Sequence, residues 1–496
     1  MRFSQGIKLT VFALTPTAVV LVALEVSLWA LGFGAREENV WRGFDPEARY
    51  LVPADDGGFL TQMFEGELSE IEIPPRSELT RVLLFGGSNT QSFHVKALRT
   101  FLDLRRPEGA PGFEVINLGR HGYGSGRVSI LLEQAMELEP DVVVIYTGHN
   151  EFIEAGFEEV IRDEWGGWTG SAAEVASGLR TFNALVAGFG GEDEGFHTKE
   201  ARPEDWSWDA ARFRELTYDR TLDRLEQYRD NLRHMCRTAL DHGATVLLCT
   251  LVGNDMAAPF SSTLSPELPP ERAAEVEELG ARALELMPRF LHRIVSERQS
   301  LRLRNSDWWR RREAPRELSE GFAAPELREH RAPLGDRAWW PPPEQWGSKI
   351  DVFLADLADF HQRRIDDDEI RDLEAARSTL ERILALAPDH PITLFRLGLV
   401  TWLLEGDGAR TSELLRRAAR HDRAPRKTSD LTNELVREVA EELPEVILCD
   451  LAALYRERSP DGIVGFELMS DHCHFHEALY KPLMGDLGAE LLANPR

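Results

Sequence analysis

The chain has 496 residues, 43% of them hydrophobic and 28% charged, a globular balance with length enough for two or three folded units. Its formal net charge of −27 repels phosphate backbones and excludes nucleic acid as the main partner. Four scattered cysteines, Cys236, Cys249, Cys449 and Cys473, fit no disulfide framework; Cys249 and Cys449 lie in apolar runs as small buried hydrophobes, and any pairing stays open.

From Leu9 to Phe33 the chain is almost wholly apolar, with Glu25 its one charge. As a helix rising about 1.5 Å per residue it spans roughly 37 Å, enough for a hydrocarbon core of about 30 Å. Arg2 and Lys8 precede it, and Glu37 and Glu38 follow Arg36. The positive-inside rule then puts the N-terminus in the cytoplasm and the body outside, making residues 1–35 a single-pass anchor in the cytoplasmic membrane. The rival is a cleaved signal peptide ending near Gly32 and Gly34, although the stretch exceeds the usual apolar region of about 7–15 residues. Residues 36–79 are polar and mixed and read as a membrane-proximal linker.

A regular alternation follows. Strands are expected at 81–87, 113–119, 141–148, 244–252 and 445–452, and helices at 91–104, 126–138, 222–242 and 431–442. Apolar, β-branched runs separated by helical patterns indicate parallel strands covered on both faces. The predicted architecture is an α/β three-layer sandwich on a five-stranded parallel sheet, built from residues 80–255 and 425–496.

Residues 256–424 interrupt it. DWWRRRE (307–313) and AWWPPPEQW (338–346) pair tryptophans beside prolines, either as a sugar platform or as packing at a lid or interface. Within 369–422, Ala376, Leu380 and Pro388, then Leu394, Leu397, Gly398 and Leu414, fall in register when counted in units of about 34 residues, resembling the tetratricopeptide pattern. Such helices bind a protein partner or act as a buttress. So short an array must pack on the sheet domain or on further helices.

Three strands end in polar, glycine-rich loops. FGGSNT (85–90) sets Ser88 between a strand and a helix N-terminus, where developing negative charge is favoured; its rival role is a helix N-cap. VINLGRHGYGS (115–125) opens a second loop at the same sheet edge. YTGHNEF (146–152) offers the Asn150 amide as an oxyanion donor or a helix cap. After the last strand, SDHCHFHEALY (470–480) places Asp471 three residues before His474, a spacing with which a carboxylate can orient an imidazole. His472, Cys473 and His476 make a metal site the rival reading there, but no second ligand cluster or familiar zinc spacing accompanies them.

These four elements, in this order and each after a strand, resemble the SGNH/GDSL hydrolase superfamily. The resemblance covers about residues 80–255 and 425–490. It implies Ser88 as nucleophile, with Asp471 and His474 completing the triad. It implies an oxyanion hole made by the N–H groups of Ser88 and Gly122 and the Asn150 amide, with no cofactor. Two positions depart from the family pattern: Gly87 stands where the family name has Asp, and Glu151 follows Asn150 where Asp is common. The chain also resembles a subgroup in which tetratricopeptide-like helices precede the last strand.

The expected activity is hydrolysis of an O-acyl ester, of a glycan or a lipid, outside the cytoplasmic membrane. An O-acyltransferase acting on a cell-surface polysaccharide shares the same first step. A membrane-tethered scaffold with a relic hydrolase fold is the non-catalytic alternative.

Overall fold

A computed structural model describes residues 48–62, 71–164, 216–261, 264–265, 267–287, 367–465 and 468–494, together with residues 16, 19–31, 33 and 180. The tryptophan-rich pieces at 307–313 and 338–346 lie outside them, as does much of the expected anchor and linker. The chain divides into two compact units.

The first unit comprises residues 1–54, 59–72 and 157–211. Residues 19–30 are helical, with Val19, Val22 and Trp29 exposed. The Arg180 N–H donates to Glu25 Oε1 at 2.6 Å. Among the described residues no helix is long and apolar enough to cross a membrane. A short antiparallel pair joins Leu51–Pro53 to Phe59–Thr61.

The second unit holds the expected parallel sheet. Its strands are β1 (Thr80–Gly86), β2 (Phe113–Asn117), β3 (Val142–Tyr146), β4 (Thr245–Cys249) and β5 (Ile447–Cys449). Their order is β2-β1-β3-β4-β5, every neighbouring pair parallel. β1 therefore lies between β2 and β3, and the chain reverses its direction of travel across the sheet at β1. Such a switch point opens a crevice at the carboxyl ends of the strands. Val82–Phe85, Val143–Ile145 and Val246–Leu248 are fully buried, as central strands covered on both faces must be.

The crossovers are helical. After the single turn α1 (Ser88–Gln91) come α2 (Val95–Arg105), α3 (Ser125–Ala135), α4 (Glu151–Glu164) and α5 (Tyr218–Asp241). The helix expected from residue 91 breaks at Ser92–His94, because His94 caps α2 by accepting the Ala97 N–H on Nδ1 at 3.2 Å. Later come α6 (Pro270–Glu285), α7 (Asp367–Leu386), α8 (Pro391–Glu405), α9 (Gly408–His421), α10 (Asp430–Glu442), α11 (Leu451–Arg458) and α12 (Tyr480–Ala493). The fifth strand is shorter than expected, since Asp450 caps α11 through the Ala453 N–H. α2 packs on β2 and α12, while α3, α5 and α10 pack together and reach β1, β4 and β5.

Helices α6–α9 pack in succession around their own core. Ala376, Leu380 and Leu394 are fully buried in it. A β-carbon on Gly398 would stand 3.2 Å from Leu415, so the glycine lets α8 and α9 approach closely. α8 is buried from Pro391 to Thr401, then ends at Gly406 with φ +65°, a left-handed cap that favours glycine. α9 also packs against α10, and Ile463 joins the helical core, so the insertion is docked on the sheet domain.

Candidate active site

β1 delivers its last residues into the crevice at the switch point. A β-carbon on Gly86 would lie 2.0 Å from the Tyr146 carbonyl oxygen, so only glycine lets β1 and β3 close up there. Gly87, and not Ser88, is the N-cap of α1, which removes the capping role for the serine. Ser88 Oγ instead meets His474 Nε2 at 2.7 Å.

His474 is presented by a loop with its own internal bracing. Met469 and Phe475 form an antiparallel bridge, and the Ser470 N–H donates to the His474 carbonyl at 2.7 Å. Asp471 Oδ1 accepts the backbone N–H groups of Cys473 at 2.9 Å and His474 at 2.8 Å. The same carboxylate contacts His474 Nδ1 at 2.9 Å through Oδ2 and 3.1 Å through Oδ1. A three-residue spacing therefore works here because the loop turns back on its own carboxylate. With Nδ1 protonated towards Asp471, Nε2 is left as acceptor for the serine proton.

The charges are strongly biased. Burial opposes ionisation of Asp471, but the neighbouring His472 and the bonded His474 outweigh it and hold the carboxyl well below its usual range. Burial likewise opposes the charged His474 ring. The Cys473 sulfur and the Asp471 carboxylate outweigh it and raise its pKa well above 6.5.

Several residues that sequence motifs did not single out brace the loop or line its surroundings. Asn89 Nδ2 donates to the Cys473 carbonyl at 2.9 Å, and Tyr480 Oη donates to Asn89 Oδ1 at 3.0 Å. Asn254, just past β4, donates from Nδ2 to the Asp471 carbonyl at 2.7 Å and from its backbone N–H to that of His472 at 3.1 Å. His149 Nδ1 accepts the Thr428 N–H at 3.1 Å, and burial pushes the ring down to about 3, so it stays neutral. Their one legible signal was position: Asn89 and His149 stand beside motif residues, and Asn254 lies in the loop after β4.

The second and third loops converge beside Ser88. A β-carbon on Gly87 would stand 2.5 Å from Asn150 Nδ2 and 3.0 Å from the Tyr123 carbonyl oxygen. Asn150 Nδ2 donates one hydrogen to that carbonyl at 3.0 Å, leaving its second available. Gly122 has φ +75°, the left-handed region where glycine is at ease. Arg120 N–H donates to the Gly86 carbonyl at 3.0 Å, and Asn117 Nδ2 to that of Thr90 at 2.6 Å, tying this loop to the serine turn. Among the described residues, neither the Ser88 N–H nor the Gly122 N–H is given to a protein acceptor.

Behind the second loop sits a buried ionic cluster. Glu151 accepts the Ser125 N–H at 2.8 Å and its hydroxyl at 2.7 Å. Glu154 accepts the N–H groups of Gly124 at 2.7 Å and Gly126 at 3.0 Å. Arg224 pairs with both carboxylates, at 3.1 and 2.9 Å, and Arg127 pairs with Glu154 at 2.8 Å. Burial pushes Glu151 up to about 7 against the pull of Arg224. At Glu154 burial acts in the same sense, but the two guanidiniums outweigh it and hold the group below its ordinary range. Glu151 is thus a partner of the second loop.

The metal reading narrows to Asp471, His472 and Cys473, whose donor atoms lie within 4.8 Å of one another. His474 and His476 are outside that group, and the Asp471 carboxylate is already engaged with His474 and two backbone N–H groups. None of the four cysteines forms a disulfide and all are buried, with Cys249 opposite Cys449 in the β4–β5 register.

Compared with known proteins, the chain matches no family model, no curated protein and no solved structure.

Proposed function

We propose that this chain is a serine ester hydrolase of the SGNH/GDSL type, an α/β/α sandwich with Ser88 as nucleophile, His474 as general base and Asp471 orienting the base. The observation that carries this reading is the 2.7 Å contact between Ser88 Oγ and His474 Nε2 across 386 residues of chain.

In the first half-reaction His474 Nε2 takes the Ser88 proton as Oγ attacks the ester carbonyl carbon. The carbonyl oxygen becomes an oxyanion and is met by the Ser88 N–H, the Gly122 N–H and the second hydrogen of the Asn150 amide. One such donor is typically worth about 2.7–4 kcal/mol of transition-state stabilisation. The imidazolium then protonates the leaving alkoxide, and the acyl group rests on Ser88. Water, deprotonated by His474, attacks the acyl carbon, and collapse of the second tetrahedral intermediate returns serine and free acid. Asp471 stays ionised throughout and stabilises the imidazolium.

The substrate class is an O-acyl ester, of a glycan or lipid, met outside a membrane to which residues 1–35 anchor the chain. The helices α7–α9 are the tetratricopeptide-like part, with a protein partner as their proposed ligand. The full-length chain in detergent is expected to hydrolyse a short-chain chromogenic ester and to react with a fluorophosphonate at Ser88. Undiminished hydrolysis by the Ser88→Ala chain would overturn the assignment.

A further inference from the structure

The helix α3 begins without the usual cap. Its N-cap is Gly124, which has no side chain to receive the first N–H groups. Their acceptors come from another helix. Glu154 takes the N–H groups of Gly124 and Gly126, and Glu151 takes that of Ser125. Both glutamates belong to the first turn of α4, and the Glu154 N–H donates to the Asn150 carbonyl at 2.8 Å. The start of α3 and the start of α4 are therefore joined by charge-assisted bonds in a fully buried place.

Arg127 extends this joint into the second loop. Its Nε bonds Glu154, and its other arm donates to the Gly122 carbonyl. Its guanidinium also lies over the Tyr123 ring at 4.3 Å. The Tyr123 carbonyl in turn receives the Asn150 amide. A single buried cation thus grips the Gly122 carbonyl, one α-carbon away from the Gly122 N–H, while bound to the helix that begins beside Asn150.

We propose that Arg127 is a positioning residue for the oxyanion hole: by holding the Gly122 carbonyl and Glu154 together, it sets the Gly122 α-carbon, from which the Gly122 N–H projects, in one fixed relation to the Asn150 amide. This rests on the esterase reading above, from which Gly122 and Asn150 take their roles. A planar guanidinium reaches two acceptors in a fixed geometry, which an ammonium does not reproduce. The hole is consequently preorganised, with its donors aimed before substrate arrives.

The test compares two conservative variants of the full-length chain. Arg127→Lys loses the grip on Gly122, whereas Arg224→Lys disturbs the same cluster without touching Gly122. Each is measured for kcat and KM on a short-chain ester, counted per Ser88 labelled to completion by fluorophosphonate. Inhibition by a trifluoromethyl ketone, whose serine adduct places an oxyanion in the hole, is measured alongside. Arg127→Lys is expected to lower kcat about 10- to 100-fold with KM changed less than about threefold, and to weaken the ketone by the same factor as kcat. Arg224→Lys is expected to lose at least threefold less in both. Equal losses in the two variants, or an Arg127→Lys chain with kcat per labelled serine within twofold of the parent, would overturn the proposal. Should Arg127→Lys fail to fold, Arg127→Gln is read by the same measurements. A parent chain that neither labels at Ser88 nor cleaves ester would instead refute the esterase reading, and this inference with it.

Discussion

Gly87 and Asn150 stand so close that a β-carbon on residue 87 would come within 2.5 Å of the Asn150 amide nitrogen. The residue before Ser88 is therefore not free to carry a side chain. Gly87→Asp is expected to displace the Asn150 amide. Loss of one oxyanion donor typically costs about 100- to 1,000-fold in kcat. Steady-state kinetics should show the fall in kcat, and the Asn150→Ala chain should match it within an order of magnitude. A Gly87→Asp chain as active as the parent would mean that the Asn150 amide contributes nothing to the hole.

The pH dependence follows from the direction of the His474 shift. The base must be neutral to accept the Ser88 proton, and its pKa is raised well above 6.5. Activity is lost as pH falls through that raised value, so kcat/KM should still be climbing above pH 6.5. Asp471→Asn removes the carboxylate that favours the imidazolium. The inflection should then move down towards the ordinary histidine value of about 6.5, with kcat reduced by about 10,000-fold. A parent profile already flat above pH 6 would contradict the raised pKa of His474.

The loop that carries the base is braced from two sides, and the braces are separable. Asn254→Ala removes the bond to the Asp471 carbonyl, and Asn89→Ala removes the bond to that of Cys473. Each removes a bond to a carbonyl of the loop, at a cost of about 1–3 kcal/mol. The expected result is a lower thermal midpoint together with a fall in kcat. Circular dichroism melts and ester kinetics on the same preparations check both.

The helical insertion should be stabilised by its own core. Phe395 is fully buried among α6–α9, and Phe395→Ala is expected to cost about 3–5 kcal/mol. Since α9 packs against α10, which leads into β5, the loss should extend to the sheet. Hydrogen exchange would then report faster opening in α10 as well as in α8. Exchange confined to α6–α9 would show that the insertion opens on its own.

Much of the fold was legible because the sheet is buried on both faces. Runs such as VVVIY admit few alternatives to a central parallel strand, and all five strands lie where the apolar runs put them. Boundaries shifted where a side chain competes for the backbone, as with His94 before α2 and Asp450 after β5. Gly87 and Asn150 were readable because each stands within a few residues of its own strand end, and the Asp471–His474 spacing because both residues lie on one short loop. Asn89, Asn254, Arg127 and Glu154 were not. Their partners lie up to hundreds of positions away, and nothing in the local pattern separates a clamp from a cap.

The order of residues alone determined which groups stand at strand ends, since β-branched runs, glycines and a three-residue Asp–His interval act over one or two turns of backbone. Tertiary structure decided the rest. Parallel pairing puts every carboxyl end on one edge of the sheet, so that Ser88 and His474 come within hydrogen-bonding distance although 386 residues separate them. Burial then set the charges, because a carboxylate and an imidazole withdrawn from water respond to one another more strongly than either does to solvent.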